Sequence, residues 1–225
     1  MSTPLRKPEI IFGSIYGLVQ FLLLPEIAFL LHNIFHIPMW ILQAAVFGVN
    51  FLCTILIFRH FLLASCKTAL SSPLKAAGFT ALGLVLYYIG SFTVSILILH
   101  LQPDYLNLND AGISSLAQDG GLWIAAGTVV LVPVAEECLF RGLLFRGIYD
   151  RSPVAAWIVS AGCFSAVHIL GYIGVYDSLA LVLAFLQYLP AGLTLSYAYR
   201  ASGTILTPIL IHTVINLIGI SILIL

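Results

Sequence analysis

The sequence predicts an all-α, polytopic integral membrane protein with about seven transmembrane helices and a polar cavity near the bilayer midplane. Three observations carry this. First, only 8% of the 225 residues are charged and 61% are apolar, against roughly 25% and 45–50% in soluble domains. Second, the apolar residues gather into stretches of about 20, the length that crosses about 30 Å of hydrocarbon. Third, Lys and Arg fall almost entirely between these stretches. Formal net charge is zero, which excludes the basic surface of a nucleic-acid binder. The four cysteines lie in or beside apolar stretches and show no framework spacing.

The predicted spans are 10–31, 38–58, 77–100, 121–146, 153–171, 178–199 and 203–223. They group as three N-terminal spans in 1–119 and a four-span core in 120–225. The first span is too long for a signal-peptide core and reads as a retained anchor. With the N-terminus inside, Arg6, Lys7, Arg59, Lys67, Lys75, Arg146, Arg151 and Arg200 fall in inner segments. The outer segments 32–37, 101–120 and 171–177 hold no Lys or Arg. Basic residues collect on the cytoplasmic side, so the predicted topology is N-inside and C-outside in a multi-pass membrane protein. A bacterial inner membrane is the expected location.

Arg141 is the basic residue left over, inside span four with Glu136 and Glu137. Each such charge costs roughly 2.5–3.5 kcal/mol to insert, so intramembrane ionisable groups are functional candidates. Glu137 and Arg141 are i and i+4, in the favoured order for an ion pair on one face. Glu136 points about 100° away and is left for chemistry. Pro133 frees a backbone carbonyl one turn earlier, as tolerated where a helix lines a cavity. His168 in span five, and His212 with Asn216 one turn apart in span seven, reach depths compatible with one cluster at about 1.5 Å per residue. His32 and His36 read as interfacial, and Gln20, Gln43 and Asn50 as interhelical hydrogen-bonders. Glu26 has no assigned role. The serine-elbow, His-Glu-x-x-His and phosphate-loop signatures of soluble enzymes do not occur.

Glu136-Glu137-x-x-x-Arg141, Phe164-x-x-x-His168 and His212-x-x-x-Asn216, in that order on successive helices, resemble the CPBP family. The family holds CAAX-type prenyl endopeptidases and bacterial Abi relatives linked to bacteriocin processing or immunity. The segment from Gly203 to His212 also resembles its last motif. The resemblance covers about residues 120–220 and implies an intramembrane endopeptidase whose catalytic cavity opens to the cytoplasmic side. Its substrate would be a membrane-anchored protein or peptide within the lipid. It implies Glu136 as the base activating water, with His168 assisting. His212 and Asn216 would stabilise the oxyanion or complete the site, and Glu137, Arg141 and Phe164 would support it. The family is often called metalloprotease. Glu136, His168 and His212 could hold a zinc or other divalent ion with a position open for water, while a metal-free glutamate mechanism fits the same residues. Two other readings remain: a non-catalytic immunity or scaffold protein, and a proton- or metal-coupled transporter. Transporters often show repeated halves, which this chain lacks.

Overall fold

The computed structural model describes residues 4–224. Among them the chain folds as eight helices and no strand. They are α1 (Lys7–Phe35), α2 (Met39–Ile57), α3 (Arg59–Ser71), α4 (Pro73–Leu101), α5 (Leu108–Tyr149), α6 (Pro153–Val167), α7 (Ser178–Ser202) and α8 (Leu206–Ile224). Five of these, α1, α2, α4, α5 and α7, are long and apolar enough to cross a membrane. α6 and α8 are shorter apolar helices. The protein is an all-α polytopic membrane protein. Its polarity is the reverse of a soluble fold: Phe12, Leu22, Leu56, Phe92 and Ile158 are exposed, while Glu137, Arg141, Ser160 and Ser196 are buried. The exposed apolar face suits hydrocarbon, and the polar groups must satisfy one another inside.

Three features differ from the sequence expectation. The inner loop after span two is a helix, α3, from Arg59 to Ser71. Its composition is too polar to read as a span, but Phe58, Phe61 and Ser65 recur at helical spacing and are all buried. The outer segment before span four is also mostly helical, beginning at Leu108 behind an Asn107 cap that accepts from the Asp110 N–H at 3.0 Å. Gly121, at φ 48° and ψ −126°, breaks that helix, a backbone conformation for which glycine is suited. Span five ends early. α6 stops at Val167, and a 3₁₀ turn over Leu170–Tyr172 follows. Its 15 residues rise about 22 Å, short of about 30 Å of hydrocarbon. His168 therefore sits at a helix end rather than within a span.

α7 packs along α4 and α6, and α8 packs against α4, α5 and α7. The α6–α7 approach is close at Gly192, where an added Cβ would lie 2.9 Å from the Ala161 Cα. Backbone cannot yield as a flexible side chain can. Gly192→Leu is therefore expected to lower Tm in detergent markedly, by the equivalent of about 1–3 kcal/mol or more. An unchanged melting curve would show that the two helices separate freely.

Candidate active site

The site grows from irregularities in α5. Pro133 has no N–H, and the turn before it is wider than α-helical: the Val132 N–H bonds five residues back, to the Gly127 carbonyl. The next bond in that pattern would run from residue 133 to the Thr128 carbonyl, and proline cannot make it. The Asn216 Nδ2 donates to that carbonyl instead, at 2.8 Å. A second wide turn follows over Cys138–Phe145. Glu136 and Glu137 lie between the two. Such insertions are frequent at functional sites. α1 repeats the device, with a wide turn over Val19–Leu23 just before Pro25, and its Gln20 and Pro25 face the same cavity.

Glu137 anchors the buried core of the site. Its Oε1 accepts from the Arg141 Nη1 at 2.9 Å, the i,i+4 pair the spacing predicts. Both side chains are fully buried. Arg141 also donates from Nη2 to the Gly192 carbonyl at 3.1 Å. Its guanidinium lies 4.4 Å from the Phe164 ring centroid, a desolvated cation–π contact. The same Glu137 oxygen lies 2.9 Å from the His212 Nδ1. A carboxylate paired with Arg only accepts, so the His212 Nδ1 donates to it, and Nε2 is the nitrogen turned toward Glu136. His212 is thus held by Glu137, a partner the sequence did not suggest.

Glu136 stands apart from this network. Its Oε2 is buried with no hydrogen-bond partner among the described residues. The nearest cationic candidate is the His212 Nε2, at 4.0 Å. That separation exceeds a direct hydrogen bond, and a water held by both atoms fits it. His168 donates from Nδ1 to the Phe164 carbonyl at 2.8 Å, because a carbonyl only accepts. Its ring stacks on Tyr188 at 4.0 Å between centroids. Tyr188 carried no signal in the sequence. Phe164 serves twice, its carbonyl orienting His168 and its ring facing Arg141.

Glu136, Phe164, His168, His212 and Asn216 all line one cavity of about 450 Å³. Glu137 and Arg141 lie behind its wall. Asn50, which also lines it, accepts from the Tyr16 hydroxyl at 2.6 Å, an interhelical bond of the expected kind. Gln20 and Gln43 line it too, and the Gln20 Oε1 is buried with no partner among the described residues. Away from the catalytic candidates the wall continues to Asn107, Asn109, Asp110 and Gln187. Those residues lie at the end of the bundle whose segments hold no Lys or Arg. Here the Tyr105 hydroxyl donates to the Gln187 Oε1 at 2.9 Å. Burial, helped by Asp110, pushes the Tyr105 phenol up to about 12, which keeps it a donor at neutral pH.

Glu136, His168 and His212 were the expected metal ligands. Among the described residues no three His, Cys, Asp or Glu side chains come together as a metal-binding group. His212 has one nitrogen committed to Glu137, and His168 one to Phe164. As these side chains stand they do not form a three-ligand group, although each histidine's outer bond is of the kind that metal-bound imidazoles also make.

Residues 118–218 match the family model for Rce1-like type II CAAX prenyl endopeptidases. This is the family the three motifs resemble. The matched segment contains Glu136, Glu137, Arg141, Phe164, His168, Tyr188, His212 and Asn216, and it spans just under half of the chain. The helices before it, α1, α2 and α4, lie outside the match yet supply Gln20, Asn50 and Tyr87 to the cavity wall. No curated protein matches the chain in comparison, and no solved structure does.

Proposed function

We propose that the protein is an intramembrane endopeptidase that hydrolyses a peptide bond of a membrane-associated protein or peptide, with Glu136 activating the water. The observation that carries this is the unpartnered Glu136 Oε2, facing the His212 Nε2 across 4.0 Å in a cavity. At that spacing a single water can bridge the two atoms, donating a hydrogen to Glu136 and leaving an oxygen lone pair for the substrate. Glu136 takes a proton as the water oxygen bonds to the scissile carbonyl carbon. The C–N bond then breaks, and Glu136 returns the proton to the leaving nitrogen.

Each imidazole has committed its Nδ1, His212 to Glu137 and His168 to Phe164, and the oxyanion needs a donor of its own. That work falls to Asn216, which has spent one N–H on Thr128 and keeps a second. Such a donor is worth roughly 2.7–4 kcal/mol in hydrolases. His168 assists from the same cavity, fixed by Phe164 and by its stack on Tyr188. Glu137 and Arg141 position His212.

The test is cleavage of a membrane-anchored peptide by purified protein in detergent or lipid, with products read by mass spectrometry. Absence of cleavage across a diverse peptide library, with correctly folded protein, would contradict the proposal. Because the glutamate route uses no metal, a chelator is expected to leave the rate unchanged. Loss of activity restored by added zinc would show instead that the histidines rearrange around an ion.

A further inference from the structure

The two ends of the bundle differ in charge and in packing. At one end the elements carrying Lys7, Arg59, Lys67, Arg146 and Arg200 are tied together. Glu9 Oε1 accepts from the Phe61 N–H at 2.9 Å, Thr204 Oγ1 donates to the Ser65 carbonyl at 2.9 Å, and Arg200 Nε donates to the Tyr149 hydroxyl at 2.9 Å. At the other end, Tyr105 bonds Gln187 and the Tyr172 hydroxyl donates to the Leu108 carbonyl at 3.0 Å. The segments there, 32–37, 101–120 and 168–177, hold no Lys or Arg.

The basic end is filled with buried apolar side chains. Phe58, Phe61, Phe145, Tyr199 and Ile205 are each no more than 1% exposed and belong to one apolar cluster. On every helix that carries the site, this cluster lies on the basic side of it. Phe145 follows Glu136 along α5, and Tyr199 follows Tyr188 along α7. Ile205 precedes His212 at the start of α8. Among the described residues, no part of α3 and no Lys or Arg lines the cavity. Its polar wall runs the opposite way, through His168 and Tyr188 to Gln187, Asn107, Asn109 and Asp110. A peptide backbone could cross the apolar cluster only by leaving its polar groups unpaired.

Basic loops face the cytoplasm. We propose that the cavity is reached from the non-cytoplasmic face of the membrane, so that the substrate presents its scissile bond on that face. The substrate half of this rests on the peptidase reading above, and the access half does not. The far wall carries one carboxylate, Asp110, with amides and phenols around it and no cation. The admitted segment is therefore a neutral or cationic extracytoplasmic stretch of a membrane-anchored chain.

The experiment compares Asn109→Cys, on the cavity wall, with Ser72→Cys, exposed at the basic end between α3 and α4. Each is made in a chain whose four native cysteines are replaced by Ala. If that background misfolds, each is made in the native chain and read as label above the parent's. A small, charged, membrane-impermeant methanethiosulfonate is applied to intact bacterial cells and to inverted vesicles. Asn109→Cys is expected to react in intact cells, and Ser72→Cys only in inverted vesicles. Reaction of Asn109→Cys solely in inverted vesicles, or of Ser72→Cys in intact cells, would overturn the access claim. Failure of Asn109→Cys to react from either face, when the denatured chain reacts, would overturn it too. The substrate half is read from peptides tethered on one face or the other. Cleavage confined to the non-cytoplasmic tether is expected, and cleavage of the cytoplasmic tether would refute it. Correct labelling with no cleavage of either tether would leave access standing and remove the peptidase reading with its substrate.

Discussion

Arg141→Met is expected to cost about 3–5 kcal/mol of stability, the usual penalty for leaving one member of a buried ion pair uncompensated. Arg141 is fully buried and faces three partners: Glu137 Oε1, the Gly192 carbonyl and the Phe164 ring. Methionine nearly fills the volume, so the loss is electrostatic rather than a cavity. Glu137 would keep only the His212 N–H. The double variant Glu137→Leu/Arg141→Met removes both charges and should recover part of the stability, because apolar replacement of a whole buried pair is often neutral or better. It should not recover activity, since His212 then lacks the acceptor that holds its ring. Thermal unfolding in detergent, beside the cleavage rate, separates the two effects. An Arg141→Met chain that melts like the parent would show that the bond from Arg141 to the Gly192 carbonyl does not hold α5 to α7.

That pair was legible because both residues lie on one helix, where spacing alone sets the geometry. The bond from His212 to Glu137 was not. It joins residues 75 positions apart and depends on how α8 packs against α5, which no local pattern encodes. The same holds for the stack of Tyr188 on His168 and for the Gly192 carbonyl that receives Arg141. Pro133 signalled a freed carbonyl, but its identity as that of Thr128 depends on the wide turn before it. Its satisfaction by Asn216 depends on packing. α3 was missed because hydropathy searches for spans, while Phe58, Phe61 and Ser65 mark a short amphipathic helix across the bundle end. That His168 stands at a helix end was not legible, because the apolar run beyond Val167 continues as a turn. The direction of the cavity was invisible in sequence, since it is set by which apolar residues cluster below the site.

Glu136→Gln decides the central claim, that this carboxylate rather than its neighbour activates the water. The amide keeps the shape and cannot take the proton. Among the described residues the Glu136 Oε2 has no hydrogen-bond partner, and the His212 Nε2 is 4.0 Å away, so replacement of Glu136 should leave Tm within experimental error of the parent. Cleavage should fall about 10³-fold, within the range for loss of a positioned general base, with substrate binding little changed. Glu137→Gln is the control. It also loses activity but lowers Tm, because it uncouples Arg141 and His212. The decisive measurement is the single-turnover cleavage rate of folded Glu136→Gln on a membrane-anchored peptide. The account predicts a fall of about three orders of magnitude at unchanged Tm. A rate equal to that of the parent would contradict it.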